Sequence, residues 1–187
     1  MKRFTITFPT ILTLIRLGVS PLVMPILLVM LLPAHSYIVT CSLALLFSLL
    51  GVTDFLDGYI ARHFKQESLL GALLDPLADK MLMFSTLIAL VAVGRVYYLW
   101  AIIFIGREFL IMGLREVALA HGVVVPVMWS GKIKMFLQVL YIIVVIVTSI
   151  VQQSSWGILL EQMSLLAALI STIYSAIIYF LYFYRAV

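Results

Sequence analysis

Four aspartates, Asp54, Asp57, Asp75 and Asp79, fall in the stretch DFLDGYIARHFKQESLLGALLDPLAD. On a helix, Asp54 and Asp57 are three positions apart and Asp75 and Asp79 four apart, so each pair projects from one face. A turn around the polar HFKQES would bring the two faces together, and Gly58 and Gly71 would allow close backbone approach. Carboxylates gathered in this way repel one another and are costly to desolvate. A hard divalent cation is their natural counter-charge. All-oxygen ligation suits Mg²⁺, Mn²⁺ or Ca²⁺, whereas three histidines and one cysteine argue against a dedicated zinc site. The competing reading is a structural ion-pair network in which the acids pair with Arg62, Lys65 or Lys80.

Paired divalent ions roughly 3.5–4 Å apart bridge phosphates and stabilise charge during an in-line displacement. The chain also carries a second set of charges suited to phosphate, at Arg62, Arg107, Arg115, Lys132 and Lys134. Arginine grips phosphate with a two-pronged fork. Acids that hold metal beside separate bases point to two phosphate-bearing substrates. Arg107 adjoins Glu108 and Arg115 shares a helical face with it, so an ion pair with Glu108 competes with a ligand role for either arginine. Arg107 is favoured as a binding residue, because an arginine at membrane depth usually faces a cavity. Lys134 is ranked below Lys132, since a lysine near a helix end commonly snorkels to lipid headgroups. Arg16, inside the first apolar run, faces either a substrate or a carboxylate.

The elements that position these residues must lie in lipid. The 187 residues are 65% hydrophobic and 11% charged, with a mean hydropathy of +1.22, more apolar surface than a soluble globule this size can hide. Spans need about 20 mostly apolar residues, and six runs qualify, at 11–32, 37–61, 69–94, 97–121, 129–152 and 158–184. Short polar or glycine-bearing breaks separate them. The runs lack barrel-strand alternation, so the expected architecture is all-α: one six-helix transmembrane bundle, a single catalytic domain over 1–187. The first run contains Arg16 and Pro21 and has no small-residue cleavage site, so it reads as a mature helix and not as a signal peptide. Cys41 alone can form no intrachain disulfide.

Basic residues mark the cytoplasmic side of a membrane protein. Lys2, Arg3, Arg62, Lys65, Lys132, Lys134 and Arg185 fall on the side that holds the N-terminus, and Arg95 on the other, which places both termini and the acidic stretch in the cytoplasm. The net charge of +4 suits anionic headgroups, and the basic residues form no exposed stripe for nucleic acid. Tyr97, Tyr98, Trp100, Trp129, Trp156, Tyr182 and Tyr184 lie near helix ends and read as an interfacial aromatic belt. His35 and His63 read as loop residues and His121 as the end of the fourth helix, where its charge favours the dipole. None of the three is assigned chemistry.

The pattern Asp54-x2-Asp57-Gly58-x2-Ala61-Arg62-x8-Gly71-x3-Asp75-x3-Asp79 resembles the signature of the CDP-alcohol phosphotransferase family at all eight fixed positions. The resemblance implies a six-helix, usually dimeric membrane enzyme that moves a substituted phosphoryl group from a CDP-linked donor to an alcohol. It implies two Mg²⁺ or Mn²⁺ ions held by Asp54, Asp57, Asp75 and Asp79, with Asp79 also the general base. It further implies a donor pocket of Thr13, Asp57, Gly58, Ala61, Arg62 and Ser68. FPTILTLIRLGVSPLVMP, IGREFLIMGLREVALAHG and SGKIKM resemble the branch whose donor is CDP-diacylglycerol and whose acceptor is sn-glycerol 3-phosphate. In that branch Arg107, Arg115 and Lys132 would hold the acceptor phosphate, with Arg16 and Lys134 as secondary candidates. Met135 and the apolar loop HGVVVPVMWS depart from the branch pattern, so phosphatidylglycerol, inositol phosphate and serine stay open as acceptors. A divalent-cation transporter is the non-enzymatic alternative.

Overall fold

The computed structural model describes residues 8–34, 36–63, 69–126, 128–151 and 154–186, without the side chains of 8–17, 19, 20, 53–63, 69–79, 185 and 186. Among the described residues the chain is helical, with no strand. Its elements are α1 Phe8–Leu31, a 3-10 turn Leu32–Ala34, α2 Tyr37–His63, α3 Leu69–Ala92, α4 Tyr98–Ala120, α5 Trp129–Thr148 and α6 Ser155–Ala186. Each helix falls on one of the apolar runs, with one or both ends displaced. The largest displacement at a helix end concerns α5, which stops at Thr148 instead of continuing to 152. Val151 donates to the Thr148 carbonyl (3.0 Å) and Ser154 to the Val151 carbonyl (2.9 Å), so Ile150 and Val151 belong to a tight turn. Hydropathy reports an apolar environment, and an apolar turn reads the same as an apolar helix end.

The chain divides into two compact units, Met1–Arg95 and Val96–Val187. In the first, α1 packs along α3 and meets α2 over a shorter stretch, while α2 and α3 touch least. Met24, Leu28 and Leu32 recur every fourth residue and are buried, as are Thr40, Leu43, Ala44 and Phe47 on α2. On α3 the buried set is Leu82, Met83, Phe84, Thr86, Leu87, Ala89 and Leu90. Pro21 and Pro25 lie inside α1. Each removes one N–H from the helical ladder, a loss that helices packed in an apolar medium tolerate. Gly94, at φ 72°, ends α3: its N–H donates to the Val91 carbonyl (3.0 Å) and that of Arg95 to the Leu90 carbonyl (2.8 Å). Paired bonds of this kind close a helix only around a left-handed residue, which favours glycine.

In the second unit, α6 packs along α5 and, over a shorter stretch, against α4. The α5–α6 pair is antiparallel. Gly131 faces Tyr179 at one end, and the Thr148 hydroxyl donates to the Glu161 carboxylate (3.1 Å) at the other. Gly122 (φ 76°) ends α4 through the same paired bonds, from Gly122 to Leu119 and from Val123 to Ala118, both 2.9 Å. Val123 then packs with Leu114, Met128 and Phe183 on a cluster of Ile111, Ala118, Val125 and Tyr179.

Two helices, Trp129–Thr148 and Ser155–Tyr184, are long and apolar enough to cross a membrane, and Pro21–Ala34, Tyr37–Val52 and Lys80–Ala92 form shorter apolar helical stretches among the described residues. Met30, Ile38, Leu45, Ile88, Phe136, Ile170 and Phe180 are all exposed. Outward apolar surface on this scale fits contact with lipid. Of the expected aromatic belt, Tyr97, Tyr98, Trp129, Trp156, Tyr182 and Tyr184 are exposed and Trp100 is half-buried.

Candidate functional site

Among the described side chains, a polar cluster lies in the second unit, around Tyr179. The Tyr179 ring is buried, with the Arg107 guanidinium 5.5 Å and the Arg115 guanidinium 5.9 Å from its centroid. A cation over an aromatic face is attracted by the ring quadrupole, most strongly where water is excluded. Arg107 and Arg115, eight positions apart on α4, thus share one surface supplied by α6. The Tyr179 hydroxyl accepts from the Met128 N–H (3.0 Å), which ties the ring to the start of α5. Gly131 permits this, because a Cβ there would stand 3.3 Å from that hydroxyl.

Arg107 donates to the Glu108 carboxylate (2.8 Å) and to the Ser175 hydroxyl (2.6 Å), and its side chain is only 9% exposed. Its Nε is buried without a hydrogen-bond partner. The expected contest between ion pair and ligand role is therefore not exclusive: the pair forms, and one edge of the guanidinium is left over. Arg115 donates instead to the Val125 carbonyl (3.1 Å), so its guanidinium rests on a carbonyl and an aromatic face and not on Glu108.

Lys134 corrects an expectation. It does not snorkel to the surface; it is 2% exposed, and its Nζ lies 2.5 Å from Glu108 Oε1. A half-buried carboxylate on α4 faces the first turns of α5, and a long cationic side chain is drawn to it from inside. Lys132, two residues earlier, is exposed, with its Nζ 4.7 Å from the Trp129 ring centroid. Of the four basic residues on α4 and α5 proposed for an acceptor phosphate, the structure joins Arg107 and Lys134 through Glu108 and brings Arg115 to the same ring, with Lys132 outside that cluster.

Three cations and one carboxylate in a largely buried setting leave positive charge that a phosphate dianion could neutralise. Sequence reasoning did not single out Tyr179, Ser175 or Gln138. A signal was present: Thr172, Ser175 and Tyr179 recur at helical spacing within an otherwise apolar helix and mark its inward face.

The remaining candidates lie in the first unit. Thr13 and Arg16 are on α1, Asp54, Asp57, Gly58, Ala61 and Arg62 on α2, and Asp75 and Asp79 on α3. Their side chains, and Ser68 altogether, lie outside the described residues. Among the described residues no group of three or more metal-ligating side chains occurs. His121 is exposed at the C-terminus of α4, its Nδ1 2.9 Å from the Val117 carbonyl, and takes no part in the cluster.

Residues 6–178 match the model of a family described as CDP-alcohol phosphatidyltransferase. Relatives named CDP-diacylglycerol–glycerol-3-phosphate 3-phosphatidyltransferase include one from Rickettsia felis, 41% identical over 57% of this chain and 59% of that protein. Another, from Rickettsia typhi, is 36% identical over 75% of this chain and 76% of its own length. A third, from Escherichia coli, is 40% identical over 67% and 69%. The match to the Rickettsia felis protein thus spans somewhat under two thirds of that relative.

Proposed function

From its place in the CDP-alcohol phosphatidyltransferase family, to which this chain belongs, we infer that it is an enzyme transferring a phosphatidyl group from CDP-diacylglycerol to sn-glycerol 3-phosphate, giving phosphatidylglycerophosphate and CMP. The observation that carries the choice of acceptor is the basic cluster in which half-buried Arg107 and Arg115 share the Tyr179 ring and buried Lys134 joins Arg107 through Glu108, which suits a small phosphorylated alcohol better than serine. The names of the relatives support the same reaction.

The acceptor phosphate binds Arg107 and Arg115, with Lys134 completing the charge and Lys132 at the exposed margin. Thr13, Asp57, Gly58, Ala61, Arg62 and Ser68 take the CDP part of the donor, whose acyl chains stay among the membrane lipids. Arg16 serves either substrate. The four aspartates form an all-oxygen donor set with two acids on each of two helices, a set that fits hard divalent cations. Asp54, Asp57, Asp75 and Asp79 would hold two such ions, Mg²⁺ or Mn²⁺, which supply charge neutralisation to the pyrophosphate. Asp79 accepts the proton of the acceptor's primary hydroxyl as its oxygen attacks the lipid-bearing phosphorus. The bond from that phosphorus to the CMP oxygen breaks, and CMP leaves with the electron pair. Holding the acceptor phosphate fixed turns the encounter into an oriented, nearly unimolecular step.

The protein works as a homodimer of a single catalytic domain with six spans in a bacterial cytoplasmic membrane, with both termini and the active site toward the cytoplasm. The test is CMP release by the purified protein from CDP-diacylglycerol in the presence of Mg²⁺ or Mn²⁺, with glycerol 3-phosphate, phosphatidylglycerol, inositol phosphate and serine in competition. Release that follows glycerol 3-phosphate is the expected result. Release with another alcohol in preference would reassign the acceptor, and none with any would overturn the reaction.

A further inference from the structure

Gln138 lies one turn beyond Lys134 on the buried face of α5. It is 0% exposed, and neither its Nε2 nor its Oε1 has a hydrogen-bond partner. Burying an amide with both ends unmet is costly, and native interiors seldom keep one unless something other than the polypeptide fills it.

The antiparallel register, with Gly131 against Tyr179 and Thr148 against Glu161, sets Lys134 at the level of Ser175 and Gln138 at that of Thr172. Thr172 does not meet the amide: its hydroxyl donates to the Ala168 carbonyl (2.6 Å), and neither end of Gln138 bonds to it. Ser175 holds one prong of Arg107, whose Nε is the other buried orphan on this side of the cluster. The seam thus presents an unmet cationic donor at one level and an unmet amide about one turn, ~5.4 Å, further along. A phosphate at the first level leaves a three-carbon backbone to extend toward the second.

We propose that Gln138 determines acceptor specificity by recognising the secondary hydroxyl of a glycerol phosphate, its Oε1 accepting from that hydroxyl and its Nε2 donating to it. A carboxamide is both donor and acceptor and matches a hydroxyl, which is the same. The inference rests on the reaction assigned above and names the group that the site reads.

The test compares glycerol 3-phosphate with 3-hydroxypropyl phosphate, which keeps the phosphate and the primary hydroxyl and lacks only the secondary one. Wild-type kcat/KM for CMP release should favour glycerol 3-phosphate by about tenfold or more, as a site left with unmet polar groups rejects the deoxy analogue. Gln138→Leu should shrink that preference to within about threefold, mainly through loss on glycerol 3-phosphate. Equal use of both acceptors by the wild type would overturn the proposal without any variant. An equal loss on both in Gln138→Leu would overturn it too, because it marks a purely structural amide. Failure of the wild type to release CMP with glycerol 3-phosphate would instead remove the reaction itself, and this inference with it.

Discussion

The α1–α3 packing of the first unit and the α5–α6 packing of the second are built from helices of similar apolarity, yet they bury different things. Over the described part of α1 and α3 the interior is Met24, Leu28, Leu82, Leu87 and Leu90, and the hydroxyl of the buried Thr86 is satisfied by its own helix at the Leu82 carbonyl (2.7 Å). Between α5 and α6 the interior includes Lys134, Gln138, Thr148, Thr172 and Ser175. Hydrocarbon offers polar groups no partners, so an apolar helix pair gains nothing by burying a lysine and an unmet amide unless they act on something. Over its described side chains the first packing is apolar. The second also encloses polar groups, which the function proposed above assigns to the acceptor.

The sharpest way to separate chemistry from both kinds of packing is Asp79→Asn, which should lower turnover about 10²–10⁴-fold while nucleotide binding, followed by titration with CDP, stays measurable. Leu90→Ala attacks the apolar packing. It should cost about 2–5 kcal/mol of stability, read by thermal unfolding in detergent, and leave the acceptor KM of the folded fraction unchanged. Arg107→Ala attacks the polar packing and should show the reverse, with acceptor KM raised about 10–100-fold and the CDP-diacylglycerol KM little altered. An equal rise in both would contradict the separate roles of the two substrates' residues. Glu108→Gln removes the carboxylate that aligns Arg107 and Lys134; an increase of about tenfold in acceptor KM is expected. Lys132→Ala is the smallest, a change of less than about threefold in acceptor KM, because an exposed, screened cation contributes little.

The difference between the two packings also marks how far the amino-acid sequence could be read. Each of the six apolar runs corresponds to an α-helix among the described residues, two of them long and apolar enough to cross a membrane, where lipid leaves the backbone few alternatives. The aspartates could be proposed from sequence because they lie close together in it, with Asp54 and Asp57 on α2 and Asp75 and Asp79 on α3; their side chains lie outside the described residues. The α5–α6 interior was not legible in that way. Lys134 sits near the start of its helix, where a lysine ordinarily reaches for headgroups, and it pairs with a carboxylate 26 positions away. Lys132 has nearly the same local sequence context and points out onto Trp129. Gln138 offered no local cue at all, since a lone amide in an apolar run becomes informative only when its surroundings are known to leave it unmet.

The hydrogen atom that serves as the side chain of Gly131 has a reach beyond its own turn. Any larger group would press on the Tyr179 hydroxyl and tilt the ring on which both α4 guanidiniums rest, moving the two together. Positions 131 and 179 are therefore expected to drift through evolution as a couple. Gly131→Ala would be better tolerated beside Tyr179→Phe, where the obstructing oxygen is gone, than beside the tyrosine.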